Sequence, residues 1–207
     1  EAKNGLKGAT IKFPSISVGA TENALLAAFK AKGKSILKNC AIEPEVKDLI
    51  LFLNKMGGQI KISGRTITIS ESKKNKLPIT HEIIFDRIEA GTYMIASALI
   101  GKNMTIERID PKIIKHEINT LKKMGIKIKK FKSSLKIQRN KMLKKTNVIT
   151  KPYPGFPTDL QAQLMVLMTQ ANGVSKISEN IFENRFMHVP ELKRMGAKIK
   201  IQNKIAF

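Results

Sequence analysis

The chain has 207 residues, and its 38 Lys and Arg against 16 Asp and Glu give a formal net charge of +22. A hydrophobic content of 42% supplies a sizeable core and excludes wholesale disorder, and the single cysteine, Cys40, excludes a disulfide framework and a cysteine-rich zinc site. No apolar run approaches the roughly 20 residues that cross a bilayer, and no signal peptide opens the chain. We therefore expect a cytoplasmic protein without a membrane partner.

One plan occurs three times along the chain. A Gly turn leads through a short strand, a polar loop and a helix to a Met-Gly stop and an alternating strand; the segments are 32–62, 100–130 and 172–201. The glycines of these Met-Gly pairs are Gly57, Gly125 and Gly196. Glycine is favoured there because helices commonly end with a residue in the left-handed backbone conformation. With the strand and helix that precede each segment, the pattern predicts three β-α-β-α-β-β units, near 9–72, 80–138 and 147–207.

The helices of these units differ in their apolar faces. The first helix of each unit is predicted at 20–31, 88–99 and 159–171, and the last two are apolar on nearly every side, which is typical of buried helices. The second helix of the first unit is amphipathic, with one apolar stripe formed by Val46, Leu49, Ile50 and Leu53. We predict an α/β (α+β) fold with buried helices and outer sheets.

The basic excess fits outer sheets better than a nucleic-acid interface. Only six of the 38 basic residues are arginine, the type best suited to bidentate phosphate and base contacts. Lysine alternates with isoleucine at 59–62, 127–129 and 198–201, which places Ile on a buried face and Lys on a solvated one. We expect no specific nucleic-acid partner; a non-catalytic basic module that binds nucleic acid is the alternative from another functional class.

Polar residues gather where the first strand of each unit meets its helix. Asp86 with Glu89, and Thr158 with Gln161, have the spacing of a capping box, so we predict that Asp86 and Thr158 cap their helices. The segment 17–19 departs from this pattern, because Ala20 stands where Glu or Gln would complete the box. It is either a plain helix start or one whose backbone N–H groups bind an anion.

Two charged residues allow a catalytic and a structural interpretation. Asp159 follows the predicted cap Thr158, so its carboxylate is either a partner of the helix dipole or a general base. Arg185 lies beside phenylalanines, where it either stacks or clamps a phosphate or carboxylate. His188 has no nucleophile as a partner and is predicted on a helix surface, and Cys40 is predicted to be a small buried hydrophobe.

Five motifs in order span nearly the whole chain: "SVGATEN" (17–23), "EPEVKDL" (43–49), "DRIEAGT" (86–92), "FPTDLQAQ" (156–163) and "FENRFMHVPELKRMGA" (182–197). In them the sequence resembles the UDP-N-acetylglucosamine enolpyruvyl transferases of the enolpyruvyl transferase superfamily. The resemblance implies inside-out, barrel-like α/β domains built from six units, of which this chain holds three. Segment 1–79 would be the last unit of one domain, and 80–207 would supply two units of the second, 80–146 and 147–207.

The resemblance also implies a reaction. The enolpyruvyl group of phosphoenolpyruvate would pass to the 3-hydroxyl of UDP-N-acetylglucosamine with release of phosphate, the first committed step of peptidoglycan synthesis. It implies no cofactor, and a monomer when full length; His81 and His116 show no metal-ligand spacing. The shikimate-pathway enolpyruvyl transferase is the nearest alternative, with the same fold and another acceptor, and the motif at 182–192 favours the former.

Matching positions take their expected roles from the same resemblance. Asp159 would contact the sugar 3-hydroxyl as base, and Arg185 would lie near phosphoenolpyruvate and the tetrahedral intermediate. The nucleotide sugar would be bound by Ser15, Ile16, Ser17, Val18, Gly19, Asp159 and the backbone of Ile181. Three polar residues would stand around the cleft: Asp86, Arg87 and Glu43.

Two departures from the family pattern bear on activity. Ser15 stands where many members carry a basic residue, and losing one charged contact would weaken the diphosphate anchor by about 1–3 kcal/mol. The mobile loop with the reactive cysteine, the N-terminal lysine and the C-terminal arginines have no counterpart in this sequence, and Cys40 belongs to a different motif. We therefore expect a central fragment of a longer enzyme, without turnover when alone.

Overall fold

Two units follow one another along the chain, Glu1–Ile84 and Phe85–Phe207. The computed structural model of the protein describes residues 2–71, 78–101, 103–138 and 142–207. Each unit has its own hydrophobic core. The assignment of 1–79 and of 80–207 to two domains of the family stays a prediction.

The first unit has the predicted β-α-β-α-β-β order. Its elements are β1 (Thr10–Lys12), α1 (Val18–Lys30), β2 (Ser35–Lys38), α2 (Pro44–Lys55), β3 (Gln59–Ser63) and β4 (Thr66–Ser70). The sheet order is β1-β2-β4-β3, with β1 parallel to β2 and the other two pairs antiparallel. Because parallel neighbours need a crossover, α1 lies between β1 and β2 in sequence and packs on the sheet.

The core of the first unit lies between this sheet and its two helices. Ile67 and Ile69 alternate along β4 and are fully buried, as the period-two pattern predicts. The predicted stripe of α2 is confirmed, since Val46, Ile50 and Leu53 are buried. Cys40 is a fully buried free thiol, and burial raises the pKa of its side chain. The prediction of a small buried hydrophobe at this position is confirmed.

The second unit is longer and contains three sheets. Its elements are α3 (Arg87–Ile100), β5 (Met104–Glu107), α4 (Lys115–Lys123), β6 (Lys127–Lys130), β7 (Ser134–Gln138), β8 (Leu143–Lys144), β9 (Asn147–Ile149), a 3-10 turn (Thr158–Leu160), α5 (Gln161–Met168), β10 (Ala171–Asn172), β11 (Lys176–Ser178), α6 (Val189–Arg194), β12 (Ile201–Gln202) and β13 (Ile205–Ala206). The sheet orders are β5-β7-β6, β12-β13-β11-β9 and the pair β10-β8. The described strands form open sheets rather than a closed barrel.

Burial in the second unit follows the predicted layering. Helix α3 packs on α5, and the buried residues of α5 include Leu164, Met165, Leu167 and Met168. In β6 the side chain of Ile128 is buried, whereas Lys127 and Lys129 are exposed. The predicted α/β fold is therefore confirmed, and the first helices of the second unit are largely buried. Helix α1 leaves Leu26 exposed, and Ile62 and Ile201, which were predicted on the buried face of their strands, are exposed as well.

One predicted strand is absent, at the start of the second repeat. Residues 78–86 are described and contain no strand. Side chains on α2 hold this segment instead: the Lys55 ammonium donates to the carbonyl of Thr80 at 3.1 Å, and His81 Nε2 lies 3.1 Å from both carboxylate oxygens of Asp48. The His81 ring also packs against Phe52, with 5.4 Å between ring centroids. These contacts fix the segment on a helix rather than in a sheet.

The close approach of α3 to the 3-10 turn depends on Gly91. A Cβ on Gly91 would overlap the Cδ1 atom of Leu160, a fully buried side chain. We expect Gly91→Ala to lower the free energy of unfolding by about 1–3 kcal/mol, the usual cost of overpacking a core. Denaturant unfolding measures this change.

Gly19→Ala is the matched control for Gly91→Ala. A Cβ at Gly19 meets no atom within 4 Å, so its free energy of unfolding should stay within about 0.5 kcal/mol of the parent. Equal stability of the two variants would contradict the tight contact at Gly91.

Candidate functional site

Helix α1 begins with a side-chain cap and exposed backbone donors. Ser17 Oγ accepts from the N–H of Ala20 at 3.2 Å, and the Ser17 carbonyl accepts from the Thr21 hydroxyl at 2.7 Å. The N–H groups of Val18 and Gly19 come first in the helix, so no carbonyl of the helix lies one turn before them. This arrangement suits an anion at the positive end of the helix. Nearby, Ser15 is exposed and Ile16 packs partly on the core.

The start of α2, in contrast, is surrounded by acidic side chains. Glu43 occupies the N-cap position of α2 and is buried, without a side-chain bond to the helix start. Glu22 on α1 faces this region: burial, then the negative charges of Glu45 and Glu43, raise the pKa of its carboxyl group. The repeat pattern did not reveal this group of three carboxylates, because its members come from two helices.

Asp86 and Arg87 lie at the start of α3. Asp86 Oδ1 accepts from the N–H groups of Ile88 at 2.7 Å and Glu89 at 3.0 Å, which confirms the predicted cap. Arg87 is buried, and its guanidinium carbon lies 5.9 Å from the ring centroid of Tyr153. Asp86 and Arg87 therefore both have structural roles within the second unit.

The predicted capping box at Thr158 is wrong. Thr158 is the first residue of the 3-10 turn, its N-cap position is Pro157, and no side chain caps this turn. The Thr158 hydroxyl donates to Glu179 Oε2 at 2.8 Å instead, because a buried carboxylate must be hydrogen-bonded. Gln161, the predicted partner in the box, is buried at the start of α5.

Asp159 and Arg185 meet although 26 residues separate them. Arg185 Nη2 donates to Asp159 Oδ1 at 2.7 Å, and the two side chains are 39% and 53% exposed, respectively. Asp159 comes from the 3-10 turn and Arg185 from the loop between β11 and α6. The Arg185 guanidinium also lies 5.2 Å from the ring centroid of Phe182. Arg185 therefore stacks on an aromatic ring, as the sequence allowed, and bonds to a carboxylate of this chain; its clamp on a ligand phosphate or carboxylate stays a prediction.

An open pocket of about 690 Å³ adjoins this ion pair. Loop residues 182–187, which include Arg185, line this pocket together with Ile201, Asn203 and Lys204. A half-exposed carboxylate beside a guanidinium can take a proton from a hydroxyl while the cation stabilises an anion. The second unit thus brings together the two residues predicted to be catalytic. The predicted residues 15–19 belong to the first unit.

Glu179 is the site residue that the sequence did not reveal. It follows β11, is 2% exposed, and accepts hydrogen bonds from Thr158 and from the N–H of Ile181 at 2.8 Å. The N–H of Ile181 is therefore occupied within the chain. The short strand before Glu179, Lys176–Ser178, has one apolar residue, so no sequence signal pointed to Glu179.

His188 occupies the N-cap position of α6 and is half-buried rather than on the helix surface. Burial, then the positive charge of Arg185, lower the pKa of His188 below its ordinary value of 6.5. The unfolded state therefore binds a proton at a higher pH than the folded state, and folding stability falls as the pH drops below about 6.5. We expect His188→Gln to reduce the loss of unfolding free energy between about pH 7.5 and 5.5.

His116→Gln is the companion variant for this measurement. Burial and the charges of Lys123 and Lys151 also lower the pKa of His116, so its replacement should have an effect of the same sign. The double variant should show the weakest dependence on pH. A His188→Gln protein that loses as much stability on acidification as the parent would contradict this account.

Within the described ranges, no group of three or more His, Cys, Asp or Glu side chains is arranged to hold a metal ion. Across the same residues, no helix combines the length and apolar character that a membrane span requires.

Comparisons with known proteins agree across the whole chain. The family described as EPSP synthase (3-phosphoshikimate 1-carboxyvinyltransferase) matches residues 1–206. The UDP-N-acetylglucosamine 1-carboxyvinyltransferase of Pelagibacter ubique is 58% identical over 97% of this chain and 48% of its own length. Proteins of the same name from Halothermothrix orenii and Endomicrobium trichonymphae are 52% and 50% identical, over 96% and 98% of this chain and 48% and 49% of theirs. The chain spans about half the length of these curated relatives.

Solved structures share the fold. The enolpyruvyl transferase NikO from Streptomyces tendae superposes with a TM-score of 0.85 at 22% identity, over 98% of this chain and 51% of that one. An EPSP synthase from Acinetobacter baumannii gives a TM-score of 0.67 at 20% identity, over 98% and 49%. The architecture is therefore that of enolpyruvyl transferases.

Proposed function

Since the chain belongs to the family described as EPSP synthase, within the enolpyruvyl transferase superfamily that its motifs predicted, we propose that it is part of an enzyme acting on UDP-N-acetylglucosamine. The enzyme moves the enolpyruvyl group of phosphoenolpyruvate to the sugar 3-hydroxyl and releases phosphate. The observation that carries this proposal is the half-exposed Asp159–Arg185 pair at 2.7 Å. The names of relatives at 50–58% identity support the acceptor.

In the proposed reaction Asp159 takes the proton of the sugar 3-hydroxyl. The sugar oxygen then bonds to C2 of phosphoenolpyruvate as the C2=C3 double bond opens, and C3 takes a proton from a general acid of the complete enzyme, which gives a tetrahedral ketal. Loss of phosphate and of one C3 proton restores the double bond. Arg185 stabilises the anionic groups of phosphoenolpyruvate and the ketal, because a guanidinium binds carboxylate and phosphate with two parallel hydrogen bonds.

The nucleotide sugar occupies a second set of residues in this proposal. The N–H groups of Val18 and Gly19, at the capped start of α1, bind its diphosphate. Ser15, Ile16 and Ser17 flank that contact, and the Ile181 carbonyl touches the sugar nucleotide. Asp86, Arg87 and Glu43 are polar residues that do not contact the reacting atoms.

We place the reaction in the cytoplasm as the first committed step of peptidoglycan synthesis, on which the cell wall, cell shape and division depend. Lysines of the alternating strands, such as Lys127 and Lys129, are exposed to solvent, which supports a protein without a specific nucleic-acid partner. We also propose that the complete protein is monomeric. The 207 residues alone should not turn over, because they span half the relatives' length and the Cys40 thiol is buried.

The test uses the complete gene product that carries these 207 residues, incubated with phosphoenolpyruvate and one acceptor at a time. Phosphate release and product mass report the reaction. UDP-N-acetylglucosamine should give the enolpyruvyl product, and shikimate 3-phosphate should give none. Turnover with shikimate 3-phosphate alone would assign the other acceptor, and product from neither would refute the activity.

The 207-residue chain is assayed beside the complete gene product and should yield no product. Binding of both proteins to DNA and RNA is measured over a range of salt concentrations. Binding should be indiscriminate and vanish as salt rises. Sequence-selective binding at physiological salt would favour the nucleic-acid alternative.

A further inference from the structure

Both carboxylate oxygens of Glu179 are occupied by neutral donors. Oε1 accepts from the Thr150 hydroxyl at 2.9 Å and from the N–H groups of Ile181 at 2.8 Å and Phe182 at 3.2 Å. Oε2 accepts from the Thr158 hydroxyl at 2.8 Å. At 2% exposure, such a carboxylate is costly to bury unless every bond is kept, so its partners are held in one arrangement.

Three of the four donors of Glu179 come from the two segments that carry the ion pair; the fourth, the Thr150 hydroxyl, follows β9. Thr158 directly precedes Asp159 in the 3-10 turn. Phe182 lies in the loop that carries Arg185, and its ring lies 5.2 Å from the guanidinium carbon. One carboxylate therefore fastens the turn on one side and the loop on the other, and Glu179 lines the pocket together with Arg185.

We infer that Glu179 is a positioning residue for the Asp159–Arg185 pair. It acts through Thr158 and Phe182, which set where the base and the cation stand relative to each other. This inference rests on the proposed function for its catalytic consequence. A displacement of about 1 Å in such a pair lowers the rate by roughly a hundredfold, because the reacting groups no longer align.

Thr158→Val in the complete gene product tests the link to Asp159 alone. The variant removes one hydroxyl, keeps the shape of the side chain and leaves Asp159 and Arg185 intact. We expect kcat to fall by about ten- to a hundredfold while KM for UDP-N-acetylglucosamine changes less than about threefold. Thr158→Ser, which restores the hydroxyl, should recover most of kcat.

Thr169→Val is the matched control, since its hydroxyl donates to the Val166 carbonyl at 2.7 Å at the other end of α5. It should leave kcat unchanged. Unchanged kcat in Thr158→Val, or equal losses in Thr158→Val and Thr158→Ser, would overturn the inference.

A crystal structure of Glu179→Ala gives a readout that does not depend on activity. We expect the hydrogen bond between Arg185 Nη2 and Asp159 Oδ1 to be lost, and a pair kept at 2.7 Å would overturn the inference. If Glu179→Ala does not fold, the structure of Thr158→Val is judged by the same distance. An inactive parent protein would refute the proposed function, whereas these structures would still decide the role of Glu179.

Discussion

Replacing Asp159 by Asn should lower kcat of the complete gene product by at least about a hundredfold, the usual scale for loss of a general base. Asn keeps the size of the side chain and can still accept the Arg185 hydrogen bond through its oxygen. It cannot take a proton from the sugar hydroxyl. Steady-state kinetics with UDP-N-acetylglucosamine and phosphoenolpyruvate measure the change.

The loss should come from chemistry and not from unfolding. The Asp159–Arg185 pair is more than one-third exposed on both sides, and exposed ion pairs add little to stability. Glu191→Gln is a matched control, because Glu191 is also an exposed carboxylate bonded to an arginine, Arg194, at 2.9 Å. The control should keep its kcat, and near-parental kcat in Asp159→Asn would remove Asp159 from the mechanism.

Replacing Arg185 by Lys should have the second largest effect, although the charge is kept. Lysine cannot offer the planar fork that binds carboxylate or phosphate with two parallel hydrogen bonds. A charged hydrogen bond contributes about 1.5–3 kcal/mol, so we expect kcat/KM for phosphoenolpyruvate to fall roughly 10- to 150-fold. Kinetics at varied phosphoenolpyruvate concentration measure this ratio.

Arg194→Lys is the control for Arg185→Lys, since Arg194 pairs with Glu191 on an exposed face of α6. Its kcat/KM should match that of the parent. A normal response to phosphoenolpyruvate in Arg185→Lys would show that a point charge suffices, and the proposed clamp would be wrong.

Sequence patterns correctly predicted those features of the fold that depend on residues close together in the sequence. The Met-Gly stops at Gly57, Gly125 and Gly196 all adopt positive φ, between 92° and 94°, as a left-handed helix end requires. The cap at Asp86 was predictable for the same reason, because both of its partners lie within three residues.

Tertiary contacts decided the rest. Thr158 matches the sequence pattern of a helix cap, yet its hydroxyl donates a hydrogen bond to the carboxylate of Glu179, 21 residues away. The second repeat, predicted near 80–138, was expected to begin with a strand, but Asp48 and Lys55 on α2 hold its first residues. No spacing rule could reveal these partners, because they depend on which elements the fold brings together.

The same distinction applies to the candidate site. The family motifs contain Asp159 and Arg185, so resemblance could nominate both residues. Their 2.7 Å contact and the Glu179 carboxylate that fastens both segments required the structure. Glu179 lies three residues before the motif at 182–197, outside the stretch that the resemblance rests on.

The central claim is that the Asp159 carboxylate is the base for the sugar 3-hydroxyl. A crystal structure of the complete gene product with UDP-N-acetylglucosamine tests this most directly. The account predicts that one Asp159 oxygen lies about 2.6–3.2 Å from the 3-hydroxyl oxygen. A bound sugar whose 3-hydroxyl faces another side chain, with Asp159 beyond hydrogen-bond distance, would contradict it.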